Sequence, residues 1–392
     1  MRSPNRWSML ALGMAAQGAS CVFMYGLPVL IPVLRGEGLT LAQAGMVVGA
    51  PSAGMLFTLV LWGWYADRRG ERVTMSLGQG LAGVVLAVAA FTSPSVPVLG
   101  LMLGLAGALG SSANSASGKV VLGWFPAEKR GVAMAFRQAA QPVGIAVAAL
   151  ALPGVAAAYG LRGALAVLAG ICIVTSLLVA ALVVDPPRGE PGAVADGGNP
   201  YRLAQLWRIH GAAMLLVVPQ FTTAAFTFDF LVGRGWDPGA AGRLLAGVQI
   251  FGALCRLACG RWSDAVGSRL RPMRQLAIVN GLTGLTAAAA IGWSHRLGPG
   301  LLIAALIVAM AGNGFAFTAV AELAGSAWAG RALGVHNMVQ NMVGAATPAV
   351  FGAIIAGAGY APGFAVAAVF ALIAVFVTPP EGRRVRTQPA PA

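Results

Sequence analysis

Arg137, Gln138 and Gln141 interrupt an otherwise apolar stretch, and residues 137 and 141 share one face if that stretch is helical. Lys119 lies six residues before Phe125, about 9 Å from the end of its own apolar run at helical rise. Later in the chain Glu322 takes the place of Lys119, and His336, Asn337, Gln340 and Asn341 mirror the Arg137 stripe as two i,i+4 pairs. A guanidinium or ammonium group inside an apolar run can hold a carboxylate or phosphate. An imidazole can take up a proton near neutral pH. Such ionisable residues are functional candidates by default. Lys119 and Arg137 can either line a cavity or snorkel to an interface, and both readings stand at this point. Asp229 is read as a structural ion pair with Arg243. Asn114, Asn313, Tyr25 and Gln220 add uncharged polar groups inside other apolar runs, as do Gln17 and Thr223. The four cysteines, Cys21, Cys172, Cys255 and Cys259, have no neighbouring His or carboxylate set. The chemistry on offer is binding; catalysis, a metal and a cofactor are not expected.

These residues must be positioned by membrane-spanning helices. Hydrophobic residues make up 58% of the chain and charged ones only 10%, against about 25% charged in soluble domains. Apolar runs of roughly 20 residues, each able to cross about 30 Å of hydrocarbon, recur along the whole length. Twelve spans are predicted near 8–33, 42–64, 74–92, 98–124, 132–152, 163–184, 208–231, 241–261, 275–293, 300–323, 333–356 and 363–378. The first run extends to Val33, too long for a cleaved leader, and is read as a retained span. The 54 glycines suit close helix packing in lipid.

The net charge of +14 follows the positive-inside rule and not nucleic-acid binding. Of the 26 Lys and Arg residues, only Arg35, Arg162, Arg234, Arg243 and Arg296 fall on one set of alternate loops. The rest fall on the other set, with the termini. This predicts a multi-pass protein of the bacterial plasma (inner) membrane with both termini cytoplasmic.

One charged loop motif occurs twice. Gly63, Asp67, Arg68, Gly70 and Arg72 form the first copy, and Gly260, Asp264, Gly267 and Arg269 the second. Residues 63 and 260 stand 197 apart, half of the 392-residue chain. The chain is therefore read as two similar halves. The predicted boundaries are 1–184 for the N-terminal six-helix bundle and 185–207 for a cytoplasmic linker. The C-terminal bundle follows at 208–378, then a disordered cytoplasmic tail at 379–392.

With the doubled loop motif in a twelve-span chain, the sequence resembles the major facilitator superfamily over nearly its full length. The resemblance implies an all-α membrane protein with twelve transmembrane helices in two pseudo-symmetric six-helix bundles. It implies secondary transport by alternating access about a central cavity lined by spans one, seven and ten, among others. It also implies that the motif Asp and Arg residues latch the cytoplasmic ends of the halves. Drug/proton antiporters of this superfamily usually carry an Arg in mid-span four. Here that span reads Gly107 to Lys119 through Ser111, Ser112, Asn114, Ser115 and Ser117, with no Arg. No nucleotide-binding glycine loop is present, so ATP is not the expected energy source. The first reading is a secondary transporter of a small organic solute, an anion if Lys119 and Arg137 face the cavity, coupled to an ion gradient such as protons. A proton-coupled drug efflux pump and a non-transport receptor or scaffold are the alternatives. The expected working unit is a monomer.

Overall fold

The computed structural model describes residues 5–92, 94–125, 127–185, 200–293 and 297–380. Within helices, the side chains of Asp67, Lys119, Asp264 and Asn313 are among those outside the described set. The described residues are helical nearly throughout. The N-terminal half holds α1 (Arg6–Met24), α2 (Ile31–Gly36), α3 (Leu41–Arg69), α4 (Glu71–Thr92), α5 (Val96–Gly110), α6 (Ser112–Trp124) and α7 (Ala127–Leu182). The C-terminal half holds α8 (Ala204–Gly233), α9 (Pro238–Val266), α10 (Leu270–Trp293), α11 (Leu297–Ala311), α12 (Asn313–Ala358) and α13 (Tyr360–Val377).

Eleven helical stretches are long and apolar enough to cross a membrane. One of them, Phe136–Leu182, has 47 residues, about 70 Å of helix and more than twice the hydrocarbon thickness. Gly160, at φ 64 and ψ −167, breaks it into two crossings. The predicted twelve spans are thus present, in two bundles. In the first, α4 packs on α5 and α7, α3 on α5, and α1 on α6 and α7. In the second, α10 packs on α11 and α13, and α8 on α12 and α13. Large apolar side chains such as Phe57, Leu101, Trp293 and Phe376 stay exposed on the outside, where lipid would cover them.

The internal repeat runs deeper than the loop motif. Six described glycines have positive φ, and they fall into pairs: Gly38 with Gly235, Gly70 with Gly267, and Gly160 with Gly359. The first two pairs are each 197 residues apart. The third pair, Gly160 and Gly359, is 199 residues apart, and each has a tyrosine beside it. The glycine is the common element, and the tyrosine precedes it in one half and follows it in the other.

Spans four and ten each break in the middle, at Ser111 between α5 and α6 and at Gly312 between α11 and α12. A broken helix frees backbone carbonyls that lipid cannot satisfy. Side chains supply the donors here. Thr58 Oγ1 and Trp62 Nε1 donate to the Ala108 carbonyl at 2.6 and 2.7 Å, and Ser20 Oγ donates to that of Gly110 at 2.8 Å. At the second break the Arg256 guanidinium donates to the Met310 carbonyl at 3.3 and 3.4 Å.

The halves meet along α3 with α12 and α7 with α9. Glycine lets the backbones touch. A Cβ on Gly49 would stand 2.8 Å from the Ala345 carbonyl oxygen, and one on Gly352 2.8 Å from that of Leu41. Gly45 on Pro348 and Gly242 on Ala149 leave no room for a Cβ either. These contacts lie toward the end of the bundle opposite the duplicated motif. The two bundles are therefore sealed together at that opposite end.

Candidate functional site

Arg137 projects from the first turns of α7 toward α6 and not along the helix to the arginine-rich end. Its Nε donates to Ser117 Oγ at 3.0 Å and its Nη2 to the Asn114 carbonyl at 2.8 Å. Ser117 Oγ in turn donates to Gln17 Oε1 on α1 at 3.0 Å. Gln138 is exposed beside it, with Oε1 3.4 Å from Arg137 Nη1. Gly118 passes under the guanidinium, and a Cβ there would lie 3.8 Å from Arg137 Cζ. Arg137 is half-buried in a polar cluster of spans one, four and five. Gln141 lies one turn further into α7, half-buried.

Across the halves, Tyr25 at the end of α1 donates to Asn341 Oδ1 on α12 at 3.2 Å. Its ring meets Phe221 of α8 edge-on, with centroids 6.3 Å apart. Asn341 is braced by Asn337 through its carbonyl at 2.9 Å. Gln220 lies on α8, half-buried. It borders a cavity of about 20 Å³ inside the second bundle with Met273, Asn280 and Gly312, space for about one water.

His336 is paired with a second histidine. Its Nδ1 lies 2.9 Å from Nδ1 of His210 on α8, and its Nε2 lies 2.9 Å from the Gln340 amide nitrogen. Both imidazoles are buried. His210 escaped the sequence reading because it sits near a predicted span end. The i,i+4 offset of 336 and 340 was visible, but the partner on another helix was not.

Asp229 is also corrected. Its partner is Arg35, not Arg243. Arg35 Nη1 reaches both carboxylate oxygens, at 3.0 and 3.3 Å, and Tyr360 donates its hydroxyl to the same carboxylate. Glu322 pairs with Arg269 of its own half at 3.0 Å, and Arg269 also donates to Ser263 Oγ at 3.0 Å. The Lys119 side chain lies outside the described residues, as do those of Asp67, Asp264 and Asn313.

The three motif arginines, Arg68, Arg72 and Arg269, contact their own bundles in this conformation. Arg72 Nε donates to the Ala180 carbonyl at 2.7 Å, and its backbone N–H donates to Asp185 at 2.7 Å. Asp185 fills the space where a Cβ of Gly70 would stand. Arg68 lies over the Trp64 ring at 4.0 Å. A Cβ on Gly63 or Gly260 would meet nothing within 4 Å. Arg256 is a cation the sequence reading misplaced. It was counted with the loop charges, yet it sits ten residues before the end of α9, half-buried against the span-ten break.

The family model described as Major Facilitator Superfamily matches residues 13–348. The chain belongs to the major facilitator superfamily. A protein of Mycobacterium tuberculosis named "Uncharacterized MFS-type transporter Rv2994" is 38% identical over 95% of this chain and 85% of its own length. A D-galactonate transporter of Escherichia coli is 26% identical over 86% of each chain. A probable sulfoacetate transporter of Cupriavidus necator is 25% identical over 89% of this chain and 88% of its own. A solved structure of a bacterial homologue of the human lysosomal transporter Spinster, in an inward-facing and occupied conformation, superposes with a TM-score of 0.80 at 16% identity. It covers 96% of this chain and 97% of that one. As a major facilitator the chain is a multi-pass membrane protein and a secondary transporter of a small molecule. It is not an enzyme.

Proposed function

We propose that the protein moves a small organic anion across the bacterial inner membrane, and that Arg137 holds the anionic group. The observation that carries this is the placement of Arg137. Its fork of donors is turned into the bundle against Ser117 and the Asn114 carbonyl. A cation held in a low-dielectric site attracts a carboxylate or sulfonate far more strongly than one in water. Arginine also presents paired donors that match the two oxygens of such a group. Two relatives, at 26% and 25% identity, are named as transporters of organic anions, galactonate and sulfoacetate.

The arginine-rich end is cytoplasmic in this reading, by the positive-inside rule. The seal at the opposite end then makes this the inward-facing state. Arg35, Asp229 and Tyr360 close the outer side. The motif residues Asp67 and Asp264 serve the cytoplasmic closure that forms in the alternate state. Transport runs on an ion gradient, and protons are the ion.

The test is ligand-dependent thermal stabilisation of the purified full chain. D-galactonate and sulfoacetate should raise the melting temperature, while galactose should not. Stabilisation by galactose, or by cationic drugs alone, would overturn the anion reading.

A further inference from the structure

The buried contact between His210 and His336 has no role in the anion site, and its geometry is restrictive. Two Nδ1 atoms 2.9 Å apart can share only one proton between them. In the neutral arrangement that keeps the Gln340 amide nitrogen against His336 Nε2, His336 Nδ1–H donates to His210 Nδ1 and His336 Nε2 accepts from that amide. The remaining proton of the pair then sits on His210 Nε2, a buried atom without a hydrogen-bond partner among the described residues. Aromatic rings wall the pair in. Tyr201 stacks on His210 with centroids 6.2 Å apart, Trp207 meets it edge-on at 6.1 Å, and Phe317 meets His336 edge-on at 4.7 Å.

We propose that His210, His336 and Gln340 form a binding site for a single proton. The proton adds to the Nε2 lone pair of His336, and the pair goes from neutral to singly positive. The Gln340 amide turns over so that its Oε1 accepts the new N–H. The Nδ1–H of His336 continues to donate to His210 Nδ1. Every hydrogen bond survives, so one proton enters at the cost of one amide rotation. A second proton would set two N–H groups head to head at 2.9 Å and is excluded.

Among the described residues, no carboxylate is recorded against this site. Glu322, on the earlier part of α12, is exposed and held by Arg269. Arg208, on the same helix as His210, turns away to the carbonyls of Phe376 and Val377 on α13 at 3.0 Å. Tyr201, which stacks on His210, and Cys259 pack at the edge of a cluster built from Leu206, Ile209, Phe315 and Val320. A charged pair in such surroundings is costly without water. Protonation therefore favours a conformation that hydrates α8 and α12 at this level. Gln340 adjoins Asn341, which bonds Tyr25 of the other half, so the amide turn sits one residue from the contact between halves.

The site deepens the proposed function by naming the coupling ion's place, and in that respect rests on it. The test has two arms. The first needs no substrate: nitrogen NMR of the full chain with labelled histidine, which has only three, His210, His295 and His336. His210 and His336 should titrate together, taking up one proton between them. In His336→Gln, His210 should shift to an independent titration. Two independent one-proton titrations in the unsubstituted chain would overturn the site. The second arm is D-galactonate uptake into proteoliposomes under an imposed pH gradient. His336→Gln should lose gradient-driven accumulation, down to the level without a gradient, and keep galactonate exchange. Undiminished gradient-driven accumulation in His336→Gln would overturn the coupling role. If D-galactonate is not carried, the anion reading fails, and the NMR arm still decides the proton site.

Discussion

Arg35 of the first half and Asp229 of the second form an ion pair at 3.0 Å, with the carboxylate 2% exposed and the guanidinium side chain 45% exposed. The pair joins the bundles at the end opposite the duplicated motif, with Tyr360 as the second donor to Asp229. Removing one partner of a buried pair costs about 3–5 kcal/mol, more than removing both; the exposure of Arg35 pulls the figure here toward about 2 kcal/mol. Arg35→Gln should lower the melting temperature, and Arg35→Gln with Asp229→Asn should recover part of the loss. Additive losses in a double-mutant cycle would show that the pair is not coupled.

Arg137 should be indispensable for an anionic solute. Arg137→Gln should weaken D-galactonate binding at least about tenfold, roughly the 1.4 kcal/mol of one charge-assisted hydrogen bond. Arg137→Lys should keep part of the affinity, because it restores charge but not the fork of donors. Calorimetric titration of the purified variants separates these outcomes, and normal binding by Arg137→Gln makes Arg137 an interface anchor.

Arg256 should matter for stability. Arg256→Met keeps the bulk but leaves the Met310 carbonyl at the span-ten break without its donor. An unsatisfied buried carbonyl costs about 1–3 kcal/mol. A lowered denaturation midpoint in mild detergent is expected, and an unchanged midpoint would show that water or lipid headgroups replace the guanidinium.

The two motif glycines should differ in tolerance. Gly70 has φ 88 and ψ 166, a region that side chains avoid, and Asp185 occupies the Cβ position. Gly267 also has a positive φ, 64, which a side chain enters at a cost of at least about 1–2 kcal/mol, so the contrast rests on the Asp185 carboxylate beside Gly70. Gly70→Ala should reduce folded yield and thermal stability more than Gly267→Ala does. Equal losses would mean that the shared spacing reflects the alternate conformation and not the local backbone seen in this one.

The latch residue Asp67 and the repeat-related pair Lys119 and Glu322 give a conformational prediction. Asp67→Asn should leave folding intact, reduce transport, and raise the reactivity of cysteines introduced on the cytoplasmic side. Lys119→Ala and Glu322→Ala should each shift that reactivity, and the Lys119/Glu322 charge swap should partly restore it if the two meet when the cytoplasmic side closes. Glu322 is held by Arg269 in the present conformation, so Glu322 must exchange partners for that contact to form.

The sequence by itself determined the membrane class, the number of spans, the two-fold repeat and the family. Each of these depends on counts and spacings along the chain: length of apolar run, alternation of charge, a motif repeated at 197 residues. It also singled out Arg137, His336 and Asp229 as ionisable residues placed where charge is costly. Their partners were decided only by the tertiary structure. Asp229 was matched to Arg243, the nearest arginine in an adjoining span, whereas packing brings Arg35 from the other half. His336 was read without His210, which lies 126 residues away. Arg256 was assigned to a loop because nothing along the chain announces the Met310 carbonyl that holds it. The physical reason is helix rotation. In spans that are apolar all round, sequence periodicity gives little indication of which face looks inward. Only the packing of one helix against another sets that angle, and with it the donor that meets each buried acceptor.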